Sequence, residues 1–163
     1  MKTRIAHLRT SCFLLGLLLL PMVRAAEVEA VEARVKAWAS SLSKNDPEVM
    51  GAFYEDSEEL DMVDSGGRWH HGLDEVKESY RESQREWTCS DSVPLRLEVR
   101  VFGDVAVAAF EHRYKARMSG NGVNLQIHKQ TTMTLRKVDG QWKIVSEHSS
   151  PIEGIPMAIQ IKR

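Results

Sequence analysis

Cysteine is almost absent from this chain of 163 residues: Cys12 and Cys89 are the only two. There is no CxxC pair, no Cys/His cluster and no HExxH, which excludes the usual spacings of a structural zinc site or a thiol redox centre, and no metal is expected. Charge of one sign is lacking as well, since 22 Lys and Arg stand against 23 Asp and Glu. A net charge of −1 offers no general attraction to nucleic acid, so none is expected as a partner. Repeats, low-complexity tracts and long linkers are missing too. What remains is 42% hydrophobic and 28% charged, the balance of one compact domain and not of a disordered or multi-pass membrane chain.

The one long apolar run, Cys12–Leu20, follows Lys2, Arg4 and Arg9 and precedes Pro21-Met22-Val23-Arg24-Ala25. It is short of the roughly 20 residues that span a bilayer. Basic start, short apolar centre and small residues Val23 and Ala25 are the pattern of a secretory signal, residues 1–25, cleaved before Ala26. The expectation is an exported protein, periplasmic or secreted, with no membrane attachment after cleavage. Residues 26–163 then form the domain, with 18 basic against 23 acidic groups and a net charge of −5. Cys89 alone survives cleavage, which removes any internal disulfide and leaves stability to the apolar core. With no activating neighbour in sequence, Cys89 reads as an inert thiol.

Val28, Val31, Val35, Trp38 and Leu42 recur at spacings of three and four, the stripe of an amphipathic helix. Asp46-Pro47 suits the cap and first position of a second, short helix burying Val49, Met50, Phe53 and Tyr54. Glu59–Asp64 alternates like a strand, turns at Ser65-Gly66-Gly67 and returns through Arg68–His71. Leu73, Val76, Tyr80, Ser83 and Trp87 mark a third helix. From Val93 to Ser149 the turn dipeptides Gly103-Asp104, Asn121-Gly122 and Asp139-Gly140 divide the chain into four antiparallel strands.

If each turn is a two-residue hairpin, the register follows. Val99, Ala108, Leu135 and Ile144 then form one row, and Leu97, Phe110, Met133 and Ser146 the next. The same face continues with Leu95, His112, Thr131 and His148, then Val93, Tyr114, Lys129 and Ser150. It begins apolar and ends in imidazole, hydroxyl and ammonium groups. Buried polar groups need partners, so this end is expected either to satisfy itself or to open into a cavity. His112 and His148, two strands apart, would stand about 10 Å from each other; spacing supplies no third ligand. Arg96, Glu98, Arg100, Glu111, Arg113, Gln130, Thr132, Lys143 and Glu147 fall on the opposite face, a solvated or dimer-forming surface.

Helix, short helix, strand pair, helix and four strands, the Val101–Ala106 hairpin, Gly72 before the third helix, and Asp139-Gly140-Gln141-Trp142 leading to His148-Ser149-Ser150 together resemble the SnoaL-like branch of the nuclear transport factor 2-like superfamily. The closing segment is also similar to the association domain of calcium/calmodulin-dependent kinases. The resemblance implies an α+β cone, with three N-terminal helices packed on a strongly bent, mainly antiparallel sheet. It also implies a pocket at the open end and homodimerisation through the outer sheet face. It covers ketosteroid isomerase, cyclases, dehydratases and noncatalytic binding domains, so it leaves the chemistry open.

Three readings follow. A binding module would hold a small, partly apolar molecule or a peptide, with Trp38, Tyr54, Phe110 and Met133 as walls and His112, Thr131 and His148 orienting the ligand. Tyr114, Lys129 and Ser146 share that face. The basic groups common in kinase-association relatives are replaced here by Met133, which leaves Lys129. An isomerase, dehydratase or hydrolase would need a carboxylate base, for which the resemblance implies Asp61, and a donor such as Tyr54, Tyr114 or His148. The third reading is a dimerising scaffold. The binding module is preferred, with no cofactor.

Overall fold

The computed structural model describes residues 8–161, with side chains from residue 24. Residues 1–7 of the expected leader lie outside it, and from Leu8 the backbone is helical straight into the domain as α1, Leu8–Ser41. Among the described residues no helix is long and apolar enough to cross a membrane.

The expected stripe of α1 is the buried one: Val31, Val35 and Trp38 are sealed, flanked by Val28 and Leu42. After a short 3-10 turn, Leu42–Lys44, the Asp46 carboxylate accepts from the amides of Glu48 and Val49 at 2.9 and 3.4 Å. Pro47 occupies the first turn of α2, Pro47–Gly51. This cap starts a helix of little more than one turn, which places Met50, Phe53 and Tyr54 in the core and leaves Val49 partly covered. Strands β1 (Asp61–Val63) and β2 (Trp69–His71) form the expected pair. Gly72, at φ +73°, opens α3 (Gly72–Glu86) in a conformation that resists a β-carbon.

Four long strands follow: β3 (Trp87–Phe102), β4 (Val105–Met118), β5 (Asn124–Val138) and β6 (Gln141–Ser150). A short β7, Ala158–Gln160, continues the edge by pairing with β5 beyond the end of β6. The sheet order is β2-β1-β6-β5-β4-β3, antiparallel except where β1 runs parallel to β6. Helix α1 lies across β3, and Trp38 meets Phe110 of β4 edge to face at 6.0 Å. This is the expected α+β cone, helices on the concave face of a bent, mainly antiparallel sheet.

The register departs from three ideal hairpins in instructive ways. Two turns close as expected, with Phe102 opposite Val105 and Val138 opposite Gln141. The turn at Asn121-Gly122 is longer: the Ser119 amide donates to the Glu86 carbonyl at 2.8 Å, and Asn121 Oδ1 accepts from the Val123 amide at 3.0 Å. Arg117 therefore pairs with Asn124, and β4 shifts by two residues along β5. Ala108 faces Met133, and Leu135 faces Ala106. A shift of two keeps every side chain on its expected face.

A bulge does not. Leu135 pairs with Ile144, but Thr134 pairs with Ser146, so Val145 is an extra residue in β6. Its place is where β6 changes its other neighbour: Ile144 bonds the Phe53 carbonyl and the Glu55 amide, and Ser146 already pairs with Asp61 of β1. Beyond this point inward and outward exchange. Glu147, expected outside, is buried together with Ser149, whereas Ser146 is partly exposed and His148 is exposed. Two further bulges in β3, marked by Asp91 and Arg96 at φ +51° and +50°, turn Ser92 inward and leave Val93 exposed.

Candidate functional site

The narrow end of the cone is filled. Ala106, Ala108, Met133, Leu135 and Ile144 are buried against Val31, Val35 and Trp38. Toward the wide end the packing opens into a cavity of about 300 Å³. Trp38 of α1, Leu42 of the following 3-10 turn, Met62 of β1, Trp87 at the start of β3 and Met157 give it apolar walls. Into it converge Glu147 of β6, Lys129 of β5, His112 and Tyr114 of β4, and Tyr80 of α3.

These polar groups are ordered by a hydrogen-bonded chain. Tyr54 donates to Glu147 Oε2 at 2.5 Å. Its single hydroxyl proton being spent there, it accepts from Trp38 Nε1 at 3.1 Å and from the Tyr80 hydroxyl at 2.6 Å. Ser149 donates to Glu147 Oε1 at 3.3 Å, and the Thr131 hydroxyl stands 3.0 Å behind Ser149. Burial pushes the Glu147 carboxyl above its ordinary range, while Lys129, Tyr54 and Ser149 pull the other way. Burial also holds the Lys129 amine below its ordinary range, against the opposing pull of Glu147. Among the described residues Lys129 forms no hydrogen bond and has no carboxylate oxygen within 4.0 Å.

His112 is sealed between Trp38 and Tyr114, whose rings lie 5.1 and 5.0 Å away, and its Nε2 meets Ser92 Oγ at 2.8 Å. Its Nδ1 is buried with no partner. Burial, aided by Lys129, drives its pKa well below the usual imidazole value, so the ring is neutral at physiological pH. Cys89, expected to be inert, lines the same cavity; burial pushes its thiol up to about 11, which keeps it protonated.

At the mouth, Asp64 is fixed by the amides of Gly66 and Arg68 at 2.8 and 3.0 Å and by Arg68 Nε at 3.0 Å. Arg68 Nη1 reaches Glu82 of α3 at 3.2 Å, so the β1–β2 turn is tied to α3 over the opening. Burial would raise the Asp64 carboxyl, but the donors from Arg68, His70 and Gly66 outweigh it and the net shift is downward.

Of the residues expected to form the site, Trp38, His112, Tyr114 and Lys129 line the cavity. Tyr54 stands directly behind it and positions Glu147 and Tyr80. Phe110 and Met133 are packed into the filled end, and Thr131 supports Ser149 without reaching the cavity. His148 and Ser146 are corrections: the Val145 bulge turns them to the outer face. Asp61 is another. Met62 takes the inward position on β1, leaving Asp61 outside, 2.7 Å from Nδ1 of the exposed His71. Glu147 was missed because only the bulge brings it inside; Tyr80 lay on the expected buried stripe of α3, the one signal available for it. Among the described residues no three His, Cys, Asp or Glu side chains gather as metal ligands.

A SnoaL-like domain profile matches residues 31–153. Solved structures with the same fold include a candidate dehydratase of the nuclear transport factor 2-like family from Streptomyces avermitilis, 18% identical, TM-score 0.72, covering 80% of this chain and 99% of that one. A ketosteroid isomerase-like protein from Erwinia carotovora atroseptica is 21% identical, TM-score 0.67, covering 78% and 97%. A type 2 hexachlorocyclohexane dehydrochlorinase is 13% identical, TM-score 0.69, covering 83% and 95%. Among curated proteins, none matches. At these identities the structural likeness carries the fold and not the chemistry.

Proposed function

The chain belongs to the SnoaL-like family, and from that premise we propose that it is a binding module that holds a small, partly apolar molecule in the wide end of its cone. The observation that carries this reading is the cavity itself, about 300 Å³ between indole, leucine and methionine walls with Lys129, Glu147 and His112 converging on it. That is the composition of a ligand site: apolar area for affinity and a few fixed polar groups for orientation. The filled end supplies no such space. Export after cleavage at Ala25 and pairing of two chains through the outer sheet face complete the proposal. They are supported by the sequence pattern of residues 1–25 and by a polar groove over Arg96, Glu111, Gln130 and His148.

Trp38 and Trp87 make the test direct, because both indoles face the cavity. An apolar fluorescent probe such as anilinonaphthalene sulfonate should be excited by energy transfer from them. Ser83→Trp, which puts a third indole into the space, should abolish that signal while leaving the melting temperature within a few degrees. Undiminished probe binding in Ser83→Trp overturns the site.

A second reading rests on one specific observation, the buried Glu147 held by Tyr54 at 2.5 Å. A carboxyl raised by burial and oriented by a phenol is a general base or acid tuned toward neutral pH. Proteins of the same fold are named as a candidate dehydratase, a ketosteroid isomerase-like protein and a dehydrochlorinase. In this reading proton transfer on the bound molecule falls to Glu147, and not to Asp61.

A further inference from the structure

We propose that Lys129 forms a reversible imine with a small aldehyde or ketone held in the cavity. The inference rests on the binding reading above and names the ligand's polar end as a carbonyl. Its basis is geometric. Lys129 is on the inward face of β5, opposite the sealed His112 on β4, and its side chain is part of the cavity wall. Nothing among the described residues holds its amine by hydrogen bond or ion pair, so the nitrogen is left for a guest.

The charge around the amine selects the kind of guest. The groups that face Lys129 are Glu147 from β6, Cys89 from β3, His112 and Tyr114 from β4, Tyr80 from α3, and Asp64 at the mouth. The thiol and both phenols are protonated and the imidazole is neutral, and at the mouth Arg68 offsets Asp64, which leaves Glu147 as the carboxyl with no cation bonded to it. An anionic ligand brought to Lys129 would be repelled by the ionised form of Glu147. A neutral carbonyl meets no such penalty. Burial favours the uncharged, nucleophilic form of the amine, the usual activation of a carbonyl-capturing lysine.

The step balances without a redox partner. The amine lone pair attacks the carbonyl carbon, both amine protons pass to the carbonyl oxygen, the C–O bond breaks, and one water leaves as the C=N bond forms. The Glu147 carboxyl, with Tyr54 and Tyr80 behind it, is placed to carry a proton between nitrogen and oxygen.

The full chain is incubated with benzaldehyde and cyanoborohydride at pH 7, then analysed by intact mass and peptide mapping, with benzyl alcohol as the unreactive analogue. The expected result is one benzyl group per chain on Lys129, formed about tenfold faster than on the exposed Lys36 or Lys44. Lys129→Met should lose that adduct alone, with the surface-lysine adducts unchanged, and benzyl alcohol binding by the parent chain is read as a thermal shift. Adducts spread over surface lysines, with Lys129 unmodified or no faster, overturn the inference. If benzyl alcohol still shifts the melting temperature in that case, the cavity reading stands and only the imine falls; if it does not, both fall.

Discussion

The two ends of one concave sheet face are built from the same strands and behave oppositely. In the narrow end, Ala106, Ala108, Met133, Leu135 and Ile144 close on α1 and leave no space for a ligand. One or two turns of pleat further along, the same β4, β5 and β6 carry His112, Lys129 and Glu147 and enclose a cavity. Local strand geometry is shared, so the difference lies in which side chains point inward and in what covers them. Large apolar groups close the narrow end; polar groups that must keep their hydrogen-bond partners cannot collapse in the same way, and the wide end stays open.

The comparison breaks most visibly if the narrow end is loosened. Leu135 is fully buried, and Leu135→Ala should cost about 3 kcal/mol, with the transfer and cavity contributions both included. Denaturant unfolding should show this loss with an unchanged slope. A cost below about 1 kcal/mol would mean that the narrow end relaxes as freely as the wide one, and the contrast would fail.

The contrast was legible in outline, and its failure points are specific. Alternating residues in β4 put Ala106, Ala108, Phe110 and His112 inside, and burial agrees. The two-residue error at Asn121-Gly122 did no harm, because slipping β5 by two preserves its faces. Val145 did the damage. A bulge at a β-branched residue inside an otherwise regular strand has no composition signal, since its cause is tertiary: Phe53 and Glu55 claim the backbone of Ile144 from the other side. That one residue exchanged Glu147 for His148 at the site. Asp61 failed differently. The alternation of Leu60, Asp61 and Met62 already placed it outside, and only the family resemblance argued for its use. The β7 edge and Met157 lie past the last periodic segment, where no pattern marked them.

Glu147 sharpens the comparison through pH. Its folded-state pKa is raised by burial, so the unfolded chain releases this proton first as pH rises. Stability from this group is complete below the unfolded value of about 4.3 and falls as pH climbs through the higher folded value. His112 acts in the opposite direction. Its folded pKa is depressed, so its contribution is present above about 6.5 and fades as pH drops below that. Glu147→Gln should therefore gain stability relative to the parent as pH rises from 4 to 7, and the gap should be smallest at the acid end. Paired thermal melts across that range read the slope directly. A gap independent of pH would mean that Glu147 titrates as it does in the unfolded chain, and the wide end would then lack its tuned carboxyl.

The smallest effect is expected from the residues that look most functional from sequence alone. His148 and Asp61 carry catalytic side-chain types near the end of the cone, but both sit on the outer face, His148 exposed and Asp61 bonded to the exposed His71. A surface substitution with no sealed partner usually changes stability by less than about 0.5 kcal/mol. His148→Ala and Asp61→Asn should therefore leave probe binding and benzaldehyde capture unchanged in the same assays that Ser83→Trp and Lys129→Met abolish. Their value lies in this pairing: the sheet is one strand thick, so His148 is separated from the cavity by the backbone of β6 alone, one residue from Glu147. A loss of binding in His148→Ala matching that in Ser83→Trp would put the functional face on the outside of the sheet. Silence in both outer variants leaves the assignment with the bulge, which turned one carboxyl in and one imidazole out.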